Sequence, residues 1–257
     1  MPIKEEHPAI NLPKSNIELW RYMDIPSFIS LLANEALIFV RADLFEDKFE
    51  GTLPKVTNEN VTNWARTQIK QGKLHKGYWN LGNIISNEDK KTVYLNCWCK
   101  ENHQMVHMWK IYSKENGIAI QTTYEDLKNS ITSDEIVYPS EINYIDFQKD
   151  IVDHQNGLSM FSIKRREYKS ESEFRLILSF PRIIEDQLLQ YKTHEEIRPF
   201  RNTLYQKTQT IKISVNLSKL IKTVNLSPYA PKWYYEVIRS ILDKYNLGNV
   251  NISTSDL

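Results

Sequence analysis

The sequence predicts an α+β fold: a single domain with a mixed, largely antiparallel sheet flanked by helices. Strand-like and helix-like segments mix irregularly instead of alternating strictly, which disfavours a doubly wound parallel sheet. The 257 residues form no internal repeat and contain no Pro/Gly/Ser-rich linker, and their 41% hydrophobic share allows a sizeable core. We expect residues 1–16 to be an N-terminal arm, because Pro2, Pro8 and Pro13 exclude regular structure. Residues 17–257 form the predicted domain.

The predicted domain opens as strand, helix, strand. Glu18–Tyr22 is a short apolar-polar run typical of a strand, and Ala36–Val40 is the next strand. Between them, Asp24 is an N-cap acceptor and Pro26 follows closely, which predicts a helix start. The other predictions before residue 100 are a weak helix at 57–72, a loop or partly ordered segment at 73–90 and a strand at Thr92–Cys99.

The central stretch Trp109–Ile120 combines the end of a predicted helix with a predicted buried strand. Met105, Met108, Trp109 and Tyr112 recur at helical spacing, a break at Gly117 follows, and the apolar run at 118–120 predicts a strand buried on both faces. Trp109 and Tyr112 are therefore expected at the end of a buried strand.

The second half alternates short predicted elements of both types. The last predicted helix starts near Pro231 and carries an apolar stripe. The other predicted helices are 124–131, 150–166 and 183–197, and the predicted strands are 136–138, 142–145, 174–178, 210–215, 220–224 and 250–252.

Charge and composition exclude several classes of protein. Lys+Arg number 33 against 32 Asp+Glu, so no large basic excess indicates nucleic-acid binding, although a local basic groove is compatible with this balance. No apolar run is long enough for a membrane span, and the N-terminus lacks the apolar core of a secretion signal. Two cysteines do not form a disulfide scaffold, so we expect a cytoplasmic protein with no membrane partner.

The common nucleotide, hydrolase and zinc-protease motifs are absent. Cys97, Cys99, His103 and His107 are a possible zinc set by ligand type. Their spacing matches no standard finger, and thiols one residue apart on a flat strand chelate poorly. Buried reduced cysteines with solvated histidines are the simpler interpretation, so no metal site is predicted.

The pair Glu171 and Glu173 is the sharper candidate for chemistry. Both carboxylates stand at the start of a predicted strand, where they would face a common cleft. One could stabilise an oxocarbenium-like centre or polarise a hydroxyl while the other orients the attacking group. Arg175 continues the alternation and could pair with either acid. The alternative is a structural salt bridge at a strand edge.

Arg21 lies between two aromatic residues, Trp20 and Tyr22. An arginine in this setting can clamp a phosphate or ribose, or it can bridge a buried carboxylate. The commoner role of large aromatics such as Trp109 is core packing. The basic run 164–166 is typical of a solvated helix end.

Four ordered motifs resemble the bacterial "domain of unknown function 2971" family over about residues 17–257. They are Leu19-Trp20-Arg21-Tyr22, Phe45-x-Asp47-x-Phe49-Glu50-Gly51, Met108-Trp109-x-x-Tyr112 with Gly117-x-Ala119-Ile120, and Glu171-x-Glu173-Phe174-Arg175. That family implies no activity.

The layout also resembles that of ADP-ribosyltransferases, which bind NAD on a split mixed sheet without a Rossmann glycine motif. The resemblance implies that Arg21 holds the NAD phosphates or ribose and that Tyr112 or Trp109 stacks near the nicotinamide. It implies further that Glu173 stabilises the oxocarbenium-like state and that Glu171 helps to activate an acceptor, protein or nucleic acid. No Ser-Thr-Ser strand motif precedes the acids, in which the chain departs from those enzymes.

Three functions follow as expectations. The first is an NAD-cleaving or ADP-ribosyl-transferring bacterial effector of toxin or phage-defence type, in which Glu173→Gln abolishes NAD consumption and leaves thermal stability nearly intact. The second is a non-catalytic nucleotide- or peptide-binding module, in which Trp109→Ala loses the ligand. The third is a magnesium-dependent nuclease built on Asp47, Glu50, Glu171 and Glu173.

Overall fold

The computed structural model describes residues 2–112, 116–153, 156–179, 181 and 208–255. The strands are β1 Glu18–Met23, β2 Ala36–Arg41, β3 Val93–Lys100, β4 Ile118–Thr123, β5 Val137–Glu141, β6 Asn143–Ile145, β7 Ile163–Arg165, β8 Glu173–Ser179, β9 Thr210–Ser214, β10 Thr223–Leu226 and β11 Asn251–Thr254. The helices are α1 Ile25–Asn34, α2 Lys55–Lys70, α3 Leu81–Asp89, α4 Val106–Tyr112, α5 Tyr124–Ser130, α6 Leu217–Leu220 and α7 Tyr234–Lys244.

The described strands form one branched, mixed sheet and one small ribbon. The main path runs β11-β10-β4-β1-β3-β2-β9, and β8 and β5 branch from β3. Within the described chain, β10 and β11 are the parallel pair of this sheet and its other pairs are antiparallel. The prediction of an α+β fold with a largely antiparallel sheet is confirmed.

The branching occurs because two strands share one edge of β3. Tyr94 and Leu95 pair with β2, whereas Cys99 and Lys100 pair with β1. Over residues 96–98, this edge of β3 has no ladder partner among the described strands. β1 and β2 must therefore diverge as they leave β3, and a gap opens between them.

Asn96 fills part of the gap at the branch. Its side-chain amide donates to the carbonyl of Ile38 at 2.8 Å, and its Oδ1 accepts from Trp98 Nε1 at 2.8 Å. The buried amide thus satisfies a backbone acceptor on β2 and fixes the indole of Trp98.

Helix α1 connects the two diverging strands. Asp24 Oδ1 accepts from the Ser27 amide at 2.9 Å, as its N-cap role predicts. Phe28, Leu31 and Leu32 face the main core, and the helix ends at Glu35 in the left-handed conformation. The predicted helix start at Asp24 is confirmed.

The core lies on both faces of the sheet. The largest cluster packs α1, α5 and α7 against one face, and a second packs α2 and residues 158–161 against β3 and β8. A third, aromatic cluster joins β1, β4 and α4. The predicted burial of 118–120 is confirmed, since all three residues have no exposed surface.

Three predictions of local structure are wrong. The predicted loop 73–90 contains a 3₁₀ turn at Lys76–Tyr78 and the helix α3, since Leu81 and Ile85 pack against the second core cluster and outweigh weak local propensity. The described part of the predicted helix 150–166 contains no α-helix but a 3₁₀ turn at Gly157–Phe161 and the strand β7, which pairs with β6. The predicted strand 220–224 begins only at Thr223, since Leu220 is the last residue of α6, whose first turn is capped by Asn216 Oδ1 accepting from the Lys219 amide at 3.0 Å. The helix predicted at 183–197 lies outside the described residues.

The N-terminal arm is attached to the domain. Ile3 is buried and bridges to Val137. The Glu5 carboxylate accepts from the Tyr124 hydroxyl at 2.6 Å and from Lys128 Nζ at 2.5 Å. Among the residues that the structure describes, no helix combines the length and apolar character needed to cross a membrane.

Candidate functional site

A cavity of about 250 Å³ lies beside the branch of the sheet, and we call it the aromatic cleft. Its walls come from β1, β2, β3, α4, β7, the start of β8 and the segment before it. A second cavity of about 320 Å³ adjoins it between β1, β2 and α1 and shares some of its lining. The aromatic cleft is lined by Trp20, Arg21, Tyr22, Val40, Phe45, Leu95, Cys97, Trp98, Cys99, Met108, Tyr112, Lys164, Glu171 and Glu173.

The fold brings together four of the predicted site residues. Arg21 from β1, Tyr112 from the end of α4, and the acids Glu171 and Glu173 all line the aromatic cleft. The first and last of these positions are about 150 residues apart in the chain, and the pairing of β3 with both β1 and β8 joins them.

Arg21 is a cation with no counter-ion among the residues that the structure describes. Its Nη1 atom is sealed from solvent and has no hydrogen-bond partner in the described part of the chain. Its guanidinium carbon lies 5.9 Å from the centre of the Trp98 ring. Burial lowers the pKa of Arg21 to about 10, so that the side chain stays protonated at neutral pH. An unpaired buried charge is costly to the folded protein.

The acids, in contrast, are locked into a chain of ion pairs. Arg175 Nε donates to Glu173 at 2.5 Å, and its two terminal nitrogens donate to both oxygens of Glu50 at 2.6 and 2.7 Å. Lys164 Nζ bridges Glu173 at 2.9 Å and Glu171 at 2.6 Å. Among the described residues, Glu171 accepts through Oε2 alone, and it is more exposed than Glu173.

The ion pairs fix the protonation state of Glu173. Burial by itself raises the pKa of this carboxyl, but the charges of Arg175 and Lys164 outweigh burial and lower it to about 2. A carboxylate with so many donors is a weak base and has little capacity left for a ligand hydroxyl. In contrast to the sequence-based expectation of nearly intact stability, we expect Glu173→Gln to destabilise the fold, because the change leaves Arg175 and Lys164 short of a partner.

Cys97 lies between the unpaired arginine and the acid chain. Burial and the neighbouring Glu173 raise the pKa of its thiol well above the usual range, and the thiol hydrogen-bonds to that carboxylate. A protonated thiol in this position is a donor and not a nucleophile.

Two residues predicted to contact a ligand do not line the cleft. Trp109 is fully buried, packs edge-on against Tyr22 at 4.9 Å, and donates from Nε1 to Gln104 at 3.1 Å. Arg175 is fully buried beneath Glu173. Contrary to the prediction, Trp109 and Arg175 therefore do not lie where they could contact a cofactor in the cleft. Both pack behind the residues that line the cleft. Tyr112, with 48% of its surface exposed, is the aromatic residue that reaches the opening.

The metal and nuclease alternatives find little support in the geometry. No three His, Cys, Asp or Glu side chains are grouped to hold a metal ion within the described ranges. His107 instead contacts the carbonyl of Ser170 at 3.0 Å. Of the acids in the nuclease hypothesis, Asp47 pairs with Arg165 at 2.9 Å, and the other three belong to the ion-pair chain. These acids are matched with cations and do not form a cluster of free carboxylates.

Lys164 is the site residue that the sequence interpretation missed. The run 164–166 suggested a solvated helix end, but Lys164 is largely buried on β7 and neutralises two acids. The alternation of Ile163 with Lys164 was the available signal. Three residues are too few to distinguish strand from helix by period.

No protein-family model matches this chain, and no curated protein or solved structure does either. The two family resemblances therefore stay predictions. The function has to be inferred from the aromatic cleft itself.

Proposed function

We propose that this protein binds a nucleotide-type ligand, a phosphate joined to an aromatic ring, in the aromatic cleft, and that NAD is the first ligand to test. The observation that carries the proposal is the Arg21 guanidinium, whose Nη1 atom is sealed from solvent and has no hydrogen-bond partner among the described residues.

The unpaired charge favours an anionic group. A folded chain gains nothing from a buried cation without a partner, whereas a bound phosphate supplies the missing charge and matches the planar fork of N–H donors. A carboxylate on a small ligand would supply the same charge and acceptor atoms, so experiment has to distinguish phosphate from carboxylate.

The aromatic walls favour a ring beside the anion. Trp98 lies under the guanidinium, while Tyr22 and the exposed Tyr112 flank it. The cleft alone, at about 250 Å³, is smaller than most ligand sites, which usually measure roughly 300–1,000 Å³. Together with the adjoining cavity of about 320 Å³, it reaches the size that a nucleotide needs.

Calorimetric titration of the full chain with NAD, ADP-ribose, AMP and inorganic pyrophosphate tests the proposal. We expect NAD to bind the unmodified chain and Arg21→Gln to weaken binding at least tenfold, about 1.4 kcal/mol. Arg166→Gln is the matched control, because Arg166 is an exposed arginine outside the cleft. Equal affinity of the two variants, or no binding by any of the four ligands, contradicts the proposal.

Cleavage of bound NAD is a second candidate, favoured by the position of Glu171. This acid lines the same cleft as Arg21 and holds one lysine through one oxygen, so it is the less occupied carboxylate. In the reaction, the bond between C1′ of the ribose and the nicotinamide nitrogen breaks, and nicotinamide leaves with the bonding electron pair. Water or an acceptor hydroxyl then attacks C1′ and loses its proton to Glu171 or to solvent, while the carboxylate stabilises the oxocarbenium-like state.

The second candidate is tested by measuring nicotinamide release. We expect Glu171→Gln to abolish release and to leave NAD affinity within about threefold. If the unmodified chain binds NAD but releases no nicotinamide with water, protein or nucleic-acid acceptors, the cleft is a binding site only. A bacterial effector acting in the cytoplasm belongs to this proposal through the sequence resemblance alone.

A further inference from the structure

One stretch of the chain, around α2 and the turn that follows it, carries a net positive charge. Between Glu59 and Glu88 there is no acidic residue, but there are four basic ones: Arg66, Lys70, Lys73 and Lys76. Removing these four from the 33 basic residues leaves 29 against 32 acidic residues. The near-neutral total therefore hides a locally cationic surface on an otherwise slightly acidic chain.

Two exposed aromatic rings accompany these cations. Tyr78 is 44% and Trp79 59% exposed, both at the turn that follows α2. Arg66 Nε donates to the carbonyl of Trp79 at 3.3 Å, which ties the turn to one flank of the helix. Lys70 follows Arg66 by four residues and so lies on the same side of α2. We call Arg66, Lys70, Lys73, Lys76, Tyr78 and Trp79 the basic aromatic surface.

We propose that the basic aromatic surface binds single-stranded nucleic acid. Its lysines and arginine suit backbone phosphates, and unstacked bases can lie on the exposed rings, the combination that sequence-tolerant single-strand binding uses. This site is separate from the aromatic cleft, since the two have no lining residue in common.

An anionic membrane is the other polyanion with this chemistry, and the helix disfavours it. The exposed side of α2 carries polar residues such as Asn63 and Thr67 beside Lys70. A helix that lies in a membrane interface needs a broad apolar face to insert. Of the apolar residues of α2, Val61 and Ala65 are buried in the protein core, and Trp64 is the large exposed one, too little for such a face.

Fluorescence anisotropy of labelled 20-nucleotide dT and rU strands, titrated with the full chain, tests the inference. We expect both to bind at low salt and a duplex of equal length to bind more weakly. Neutralisation of four phosphates predicts that log K falls with log salt at a slope of roughly −3, at about −0.7 per phosphate. Loss of one stacked base in Trp79→Ala should weaken binding by about fivefold or more.

Trp64→Ala is the matched control. Trp64 is 57% exposed on the same helix, but two residues from Arg66 and so on the opposite flank, at about 100° per residue. An unchanged affinity in Trp64→Ala supports the assignment. Three results overturn it: no binding of either strand, equal losses in both tryptophan variants, or binding only to phosphatidylserine vesicles. Circular dichroism of each variant confirms that the fold is retained.

Discussion

Replacement of Arg21 by methionine should stabilise the ligand-free protein and abolish ligand binding. The pKa of Arg21 falls from 12.5 to about 10 on folding. At about 1.4 kcal/mol per pH unit, the charged form costs the folded state roughly 3 kcal/mol. Part of the side chain reaches solvent, which screens the charge, so we expect a gain of about 1–2 kcal/mol from an uncharged chain of similar shape.

The measurement is urea and thermal unfolding with and without NAD. For a chain of this size, each kcal/mol raises Tm by roughly 2–4 °C. A ligand at a hundred times its Kd adds about 2.7 kcal/mol to the unmodified protein and nothing to a variant that cannot bind it. The order of stability should therefore invert: Arg21→Met is the more stable form alone and the less stable form with saturating ligand.

The reasoning is refuted if Arg21→Met is less stable than the unmodified protein in the absence of ligand. That result would mean that the guanidinium stabilises the fold as it stands. Arg166→Met is the control, since the exposed Arg166 pairs with Asp150 at the surface and its loss should change stability by less than about 1 kcal/mol.

Three further predictions concern the supports of the cleft. The pKa of Glu173 is lowered from 4.5 to about 2, so its contribution to stability is complete above pH 4.5 and is lost as the pH falls to 2. Urea unfolding across this pH range should show that the free energy of unfolding falls by roughly 3 kcal/mol. This loss should be absent in Glu173→Gln. Gly51 adopts a φ of +60°, and a Cβ there would lie 2.4 Å from the Phe161 ring, so Gly51→Ala should destabilise by at least about 2 kcal/mol, and unchanged urea unfolding would contradict the described packing. Trp109→Ala should cost about 3–5 kcal/mol through cavity formation, so a variant that unfolds normally but loses only ligand affinity would show that the indole faces the cleft after all.

The sequence predicts the elements that have strong local signals. Asp24 with Pro26 marks a helix start that the structure confirms, and the β-branched and aromatic run at 92–99 becomes β3. Such patterns reflect backbone preference and the period of burial, which neighbouring residues determine. They say nothing about which strands share an edge.

The parts of the site that escaped prediction depend on contacts distant in the chain. Glu50 and Arg175 are 125 positions apart, and their pairing follows from the order of strands and not from either motif. Trp109 illustrates the same limit: helical spacing places it on an apolar face, but the neighbouring β1 decides that this face is core. Trp109 is buried, whereas Tyr112, three residues later, reaches the opening of the cleft. The helical spacing of the sequence does not distinguish these two positions.

The attachment of β1 and β2 to a single edge of β3 makes that strand the junction between two parts of the sheet. β1 continues into the β4–β10–β11 half of the sheet and β2 into β9, so the strand order joins the two halves through β3. A ligand bound in the gap between β1 and β2 contacts both halves of the sheet. Slower amide hydrogen exchange along both β1 and β2 would then report that a ligand is bound in this gap.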